Sequence, residues 1–308
     1  MTAPTNTYLT TSVIGNREDL SDIIYRISPT TTPFLNLAAK TTASNTLHEW
    51  QTQDLAPAIT NNAQNEGDNA SAKVATPTTR LNNRTQIATK TVIVSGTQLA
   101  MNPAGRKNEM SYQLSMASLE LKRDMESSLC QLDVLATSPR QSRGLRGWLV
   151  DNIDSGAGYV APSYTANTPT TDGTQRAFTE AQLKNVLQKC FTAGGEPTMV
   201  MTGPSQKQTF STFSGNATRF DKSEDAKLYA AVDVYVSDFG SVTVMPNRFQ
   251  RARDVFVLQA DKVAIAYIRP FATIELATTG DAMQREIIVE FTLECRAPKA
   301  SGAIYDLL

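Results

Sequence analysis

The sequence predicts an α+β protein with two compact parts and two projections, and three observations carry that prediction. Met110, Leu114, Ala117, Leu121, Met125, Leu129 and Leu132 recur at spacings of three and four without an intervening proline, which is the pattern of one long amphipathic helix. Over Arg285–Arg296, Val289, Phe291, Leu293 and Cys295 alternate with Glu290, Thr292 and Glu294, the pattern of a strand with one apolar face. Between residues 47 and 99 the chain is rich in Thr, Gln and β-branched residues yet polar on both faces, so it reads as a ribbon. A one-sided sheet needs a cover, and the long helix is the available one.

Taken in order, residues 1–46 read as mostly extended. A short helix is predicted over Arg17–Arg26, with Asn16 as N-cap and Glu18 and Asp19 at the positive end of its dipole. Leu20, Ile23, Ile24 and Ile27 share one face of it, and Pro29 and Pro33 stop it. From Ser28 to Pro33 the path is forced to be extended toward Phe34 and Leu35. A helix this short cannot stand alone and must dock, either on its own domain or on another chain. Two strands follow, Leu47–Leu55 and Leu81–Thr97, separated by the 24-residue Asn/Ala/Thr-rich stretch Ala56–Thr79 with Glu66-Gly67-Asp68 at its tip. A two-stranded ribbon with polar faces buries too little to hold itself up in water. It is either a mobile surface insertion or an element completed by a neighbouring chain.

Asn102-Pro103 supplies a cap and first-turn proline for the long helix, predicted from Gly105 to Ala136, about 48 Å at 1.5 Å per residue. Glu120, Lys122, Arg123, Asp124 and Glu126 fall largely off its apolar stripe; a coiled coil is the competing account to a helix laid on a sheet. Pro139 and the turn-rich Arg140–Gly147 end it. A second helix opens at Phe178, where Thr179 and Gln182 make a capping box and Phe178 and Leu183 a hydrophobic staple. Its apolar face is Leu183, Val186, Leu187, Cys190 and Phe191, and Gly194-Gly195 closes it. There follow a buried strand at Thr198–Met201, a helix from Gly203-Pro204 toward Phe213, and a hairpin of Val232–Ser237 and Val242–Met245. Strands Val255–Gln259 and Val263–Ile268 precede the final one.

Composition narrows the function by exclusion. Of 308 residues, 29 are Lys or Arg and 30 are Asp or Glu, a net charge of −1 that gives no whole-molecule attraction for nucleic acid or anionic membrane. No apolar run approaches the ~18 residues of a membrane span, and the polar Met1–Thr11 lacks the features of a signal peptide. Cys130, Cys190 and Cys295 are scattered and odd in number, which argues for reduced thiols in a cytosolic setting. His48 is the sole histidine, so nucleophilic or zinc chemistry has almost nothing to work with. The stretch Gly156-Ala157-Gly158-Tyr159-Val160-Ala161 fits G-x-G-x-x-A, but Pro162 and the Ser/Thr/Pro/Asn run after it forbid the helix a dinucleotide site requires. No catalytic, cofactor or metal site is expected.

The order of parts resembles the major capsid proteins of tailed bacteriophages, with the Hong Kong 97-type (Johnson) fold. Asn16-Arg17-Glu18-Asp19-Leu20-Ser21-Asp22-Ile23-Ile24-Tyr25-Arg26-Ile27-Ser28-Pro29-Thr30-Thr31-Thr32-Pro33-Phe34 looks like the arm motif of one such subfamily. Arg143-Gly144-Leu145-Arg146-Gly147-Trp148 resembles the glycine-containing turn found after the long helix there. The resemblance implies an N-terminal arm (1–46), an extended β-ribbon loop (47–99) and a peripheral domain with the spine helix (100–176). It further implies an axial domain (177–250) and return strands of the peripheral domain (251–308). Contacts with neighbouring subunits are expected from Leu20, Ile23, Ile24, Tyr25, Ile27 and Phe34 in the arm. In the loop they are expected from Trp50, Glu66, Asp68, Lys73 and Arg84, with no cross-link assigned to Lys73.

The resemblance also implies pentamers and hexamers of an icosahedral or prolate virion shell, assembled in the host cytoplasm around double-stranded DNA without sequence-specific binding. Implied partners are a portal, a separate scaffolding protein, since the arm motif begins at Asn16, and decoration proteins; no cofactor or membrane is implied. A weakly charged wall suits DNA that must slide against it. The alternatives are an encapsulin-like compartment shell, a phage tail or adaptor protein, and a nucleotide-dependent enzyme built on Gly156–Ala161.

Overall fold

The computed structural model describes residues 31–67, 69, 75–101, 108–213 and 234–308. The predicted Arg17–Arg26 helix and the Asn102-Pro103 cap lie outside them. The chain opens with α1 (Pro33–Leu37), β1 (Ala39–Thr42) and the antiparallel hairpin β2 (Leu47–Thr52) and β3 (Thr79–Arg84). Next come β4 (Gln86–Ser95), α2 (Gly96–Ala100), the long helix α3 (Glu109–Gln131), the short pair β5 (Ala136–Thr137) and β6 (Arg140–Gln141), and α4 (Leu145–Trp148). After β7 (Asn152–Asp154) follow α5 (Glu180–Thr192), β8 (Met199–Thr202), α6 (Pro204–Phe210), β9 (Val234–Ser237) and β10 (Gly240–Pro246). The chain closes with β11 (Val255–Leu258), β12 (Val263–Glu275), β13 (Ala282–Cys295) and β14 (Gly302–Ile304). No helix among the described residues is long and apolar enough to cross a membrane.

Two sheets organise these elements. A four-stranded sheet runs β1-β12-β13-β4, and a six-stranded one runs β7-β14-β11-β8-β10-β9. Helix α3 lies along the first sheet, against β4 and β13, so the coiled-coil alternative falls. Its apolar stripe is buried as the spacing required: Met110, Ala117, Leu121, Met125 and Leu129 are at most 6% exposed. Asn108 caps it by accepting from the Ser111 amide at 3.0 Å, and Leu132 is already its C-cap. At 23 residues it is about 35 Å long, shorter at both ends than predicted.

One core joins the two sheets. Leu121, Met125 and Leu129 of α3 meet Val289, Phe291 and Leu293 of β13, and the same cluster continues through Trp148 to Met201, Phe256 and Tyr305 on the near face of the six-stranded sheet. Its far face, with Val200, Val255, Val257 and Ile304, closes against Leu183, Val186 and Cys190 of α5. The capping box forms as read, the Thr179 amide donating to Gln182 Oε1 at 3.0 Å, and Gly194 takes the left-handed φ of +86° just past the helix. The boundaries 177–250 and 251–308 need correction: β7, β11 and β14 all belong to the six-stranded sheet. These strands, three or four residues each, are too short for sequence alone to assign them to one sheet or the other.

Four further expectations change. Pro33–Leu37 is helical, because proline suits a first helical turn and a buried carboxylate receives its amides. The strand expected over Leu81–Thr97 breaks at Thr85, whose amide donates to Thr46 O at 2.9 Å; β3 pairs with β2, and β4 joins the main sheet. Strands β12 and β13 run well past Ile268 and begin before Arg285, with register shifts around Arg269 near Pro270. The helix after Gly203 stops at Phe210.

Candidate assembly surfaces

The hairpin β2–β3 stands on a polar footing. Glu290 and Glu294, assigned by alternation to the solvent face of β13, are 4% and 8% exposed. Glu290 receives Arg140 Nη2 at 2.8 Å, Arg269 Nε at 3.0 Å and Thr85 Oγ1 at 2.9 Å. Glu294 sits 3.1 Å from His48 Nε2 and 2.9 Å from Arg296 Nε, and accepts from Thr41 Oγ1 at 3.1 Å. Burial works to raise both carboxyls, but these donors and guanidinium groups outweigh it and hold them below the ordinary carboxylate value. Of these partners His48 comes from the hairpin itself, whose Leu81 and Trp50 also pack on the core; the rest come from the neighbouring segments that surround its base.

Asn83 locks that base. Its Nδ2 donates to Leu293 O at 2.8 Å and Arg143 O at 2.9 Å, while its Oδ1 accepts from the Arg143 amide at 2.9 Å. One buried side chain therefore ties β3 to β13 and to the turn after α3. That turn needs its glycines: a methyl on Gly144 would lie 2.5 Å from Leu129 O, and one on Gly147 would strike Asp133 O. Trp50 donates Nε1–H to Cys295 O at 3.0 Å and stands 5.3 Å from the Trp148 ring, so this predicted contact residue is half-buried in its own subunit. Beyond it, the loop 53–67 and 75–78 is exposed throughout, with Leu55 94% and Ile59 73% accessible. Glu66 is exposed on it and Arg84 half-buried at its foot, whereas Asp68 and Lys73 lie outside the described residues.

The arm joins the body at a buried carboxylate. Glu126, expected off the apolar stripe, is 0% exposed and accepts from the Phe34 amide at 2.7 Å, the Leu35 amide at 2.9 Å and Asn247 Nδ2 at 2.7 Å. Burial pushes its carboxyl up, and those three donors oppose the shift. Phe34 is 0% exposed within the intramolecular core, which corrects its assignment as a contact with a neighbour: Glu126 draws α1 inward and the ring follows. Leu20, Ile23, Ile24, Tyr25 and Ile27 lie outside the described residues. A second charged cluster ties the 155–177 loop down. Asp172 meets Arg146, Arg251 (2.6 Å) and Arg253 (3.5 Å), and Asp306 meets Arg253 at 2.9 Å. Within this cluster burial raises Asp254 to about 6 against the pull of Arg251 and Arg146.

Sequence reasoning missed Asn83, Glu126 and the arginine partners of Glu290, since each works through residues tens to hundreds of positions away. Among the described residues no group of His, Cys, Asp or Glu could hold a metal. All three thiols are buried, and desolvation lifts Cys190 and Cys295 to about 12. Gly156 leads into a loop held by Asp306, not into a helix; a methyl there would strike Thr174 O.

The profile of one protein family, described as SU10 major capsid protein, matches residues 3–308. The chain belongs to that family. As a phage major capsid protein it is a structural component of the virion. Among curated proteins it is 27% identical over 338 residues to the major capsid protein of Escherichia phage Phieco32, covering 94% of each chain. Its fold is that of capsid subunits. The capsid of Cyanophage A-1(L) superposes with a TM-score of 0.66 at 15% identity, over 97% of this chain and 98% of the other. The holo-SrpI encapsulin of Synechococcus elongatus superposes at 0.57 and 12% identity, over 95% and 92%. The surfaces described above are therefore those of a capsid subunit within a shell of many copies.

Proposed function

We propose that this capsid protein forms the pentamers and hexamers of an icosahedral or prolate head of Hong Kong 97 type, enclosing double-stranded DNA without reading its sequence. Residues 1–46 act as an arm crossing to neighbours, with Leu20, Ile23, Ile24, Tyr25 and Ile27 as anchors. The loop at the end of β2–β3 lies over an adjacent subunit, with Glu66, Asp68, Lys73 and Arg84 at or near that contact. Helix α3 with the four-stranded sheet acts as the peripheral domain, and the six-stranded sheet with α5 and α6 as the axial one. A portal, a separate scaffolding protein and decoration proteins are its partners, and assembly takes place in the host cytoplasm. The protein performs no catalysis.

One observation carries this reading: a rigidly footed hairpin ends in a loop that leaves Leu55 and Ile59 almost wholly exposed. Apolar side chains held out on an extended loop need a surface from elsewhere. Negative-stain microscopy of the chain co-expressed with its scaffolding protein tests the proposal. Closed shells are expected, and rings, tubes or dispersed monomers would refute it. Head particles from infected cells are expected to hold DNA; a protein cargo in its place would favour the encapsulin-like reading, which the likeness to an encapsulin fold motivates.

A further inference from the structure

Asp254, the residue before β11, is 1% exposed, and among the described residues its Oδ2 accepts no hydrogen bond. The nearest cations stand off it, Arg146 Nε at 3.7 Å and Arg251 Nη1 at 3.9 Å. Neither guanidinium is free to close the gap. Arg146 is held by Asp133 at 3.4 Å and by Asp172, and Arg251 is held by Asp172 at 2.6 Å. Arg253 is engaged by Asp306 at 2.9 Å and by Gly173 O at 2.7 Å. The two phenols of the site, Tyr159 and Tyr305, stack at 5.0 Å, and burial lifts both above their ordinary value, so neither adds charge.

An ionised carboxylate without a hydrogen bond is costly in a protein interior, and a proton removes that cost. Gln250, whose Nε2 donates to Asp254 O at 2.5 Å, likewise leaves its buried Oε1 without a donor. A protonated Asp254 supplies a donor to this interior, where an ionised one adds a second unpaired acceptor. The site is also a joint. Asp133 follows α3 and Arg146 lies in α4, both packed on the four-stranded sheet, while Arg251, Arg253 and Asp306 flank β11 and β14 of the six-stranded one. Asp172 comes from the 155–177 loop. We infer that Asp254 binds a proton that tightens this joint: protonated, it holds the loop and the chain end against the body, and ionised, it lets them open more often. Burial, with Asp172 and Asp306 adding to it, raises the Asp254 carboxyl from 3.8 to about 6 against Arg251 and Arg146. Opening hydrates the group and returns it to its ordinary value. The proton's contribution is therefore full below that ordinary value and is lost as pH rises through about 6. Every group involved belongs to one subunit, so the effect is a property of the single chain.

The test follows amide exchange of Gly156 and Gly173, which donate to Asp306 at 3.2 and 2.9 Å and so report opening of the joint. It is run on the full-length chain at about pH 5 and about pH 7.5, after correction for intrinsic exchange rates. A carboxyl displaced from 3.8 to about 6 makes opening roughly tenfold rarer at the lower pH. In Asp254→Asn, which keeps the shape of the protonated acid, both pH values are expected to give equal protection, at the level wild type reaches in acid. Equal protection in wild type, or a tenfold difference that survives in Asp254→Asn, overturns the inference. A second measurement covers a variant that folds poorly. Carbon-13 titration of the aspartate carboxyls of the wild-type chain is expected to show one that titrates near 6. Titration of every aspartate below about 4.5 overturns the assignment.

Discussion

Replacing Glu126 with alanine removes the acceptor of three hydrogen bonds at one stroke, from the amides of Phe34 and Leu35 and from Asn247 Nδ2, at 2.7, 2.9 and 2.7 Å. A buried donor left without a partner costs about 1–3 kcal/mol. Two offsets reduce the sum. Losing a buried carboxylate recovers its desolvation, and Asn247 keeps a contact to Met201 Sδ at 3.1 Å. A net loss of about 3–4 kcal/mol is expected for Glu126→Ala. Glu126→Gln retains one acceptor oxygen and the shape, so it should cost about 1–2 kcal/mol. Denaturant unfolding of the unassembled subunit measures both, and amide exchange at Phe34 and Leu35 should quicken in step. If alanine lay within about 0.5 kcal/mol of wild type, or glutamine proved worse than alanine, the reasoning would be refuted.

Acid should weaken the hairpin footing. Glu290 and Glu294 titrate below the ordinary value of 4.5 in the folded chain, so their contribution is full above that pH and is lost as pH falls through their folded values. Glu126 has the opposite sign, because its raised value makes protonation favour the folded state, so Glu126→Gln should deepen acid sensitivity; unfolding midpoints from pH 7 to about 3 check both. Gly144→Ala drives a methyl against backbone carbonyls and should cost about 2 kcal/mol or more, read as a lower melting temperature; an unchanged melt would contradict the close approach. The three buried thiols should resist a thiol reagent in the native protein and react together on unfolding; a fast-reacting native thiol would be inconsistent with the packing.

The parts legible in the sequence are those whose physics is local. The stripe of α3, the capping box at Thr179 and the glycine turn at Arg143–Trp148 are each written within a few turns of chain. What escaped is written at long range. Glu290 and Glu294 look like solvent-facing residues until Arg140, Arg269 and His48 arrive from distant elements. Glu126 looks like one more charge on a helix until the start of the arm is laid across it. The break at Thr85 has no breaker residue and follows from β3 and β4 serving different sheets. The surfaces between copies were legible only through resemblance, since apolar residues awaiting a partner look in sequence like any other core residues.

The place of β14 bears on when a subunit becomes ready to assemble. Residues 302–304 form an interior strand, held between β7, about 150 residues earlier in the sequence, and β11. During synthesis the six-stranded sheet has a gap until residue 304 has cleared the ribosome, and Asp306 must follow before the loop carrying Gly156 and Gly173 is tied down. A chain interrupted earlier has β7 without its neighbour and a core open to water. Such a fragment lacks an interior strand, so the last residues of the sheet, and not only its middle, decide whether the body closes.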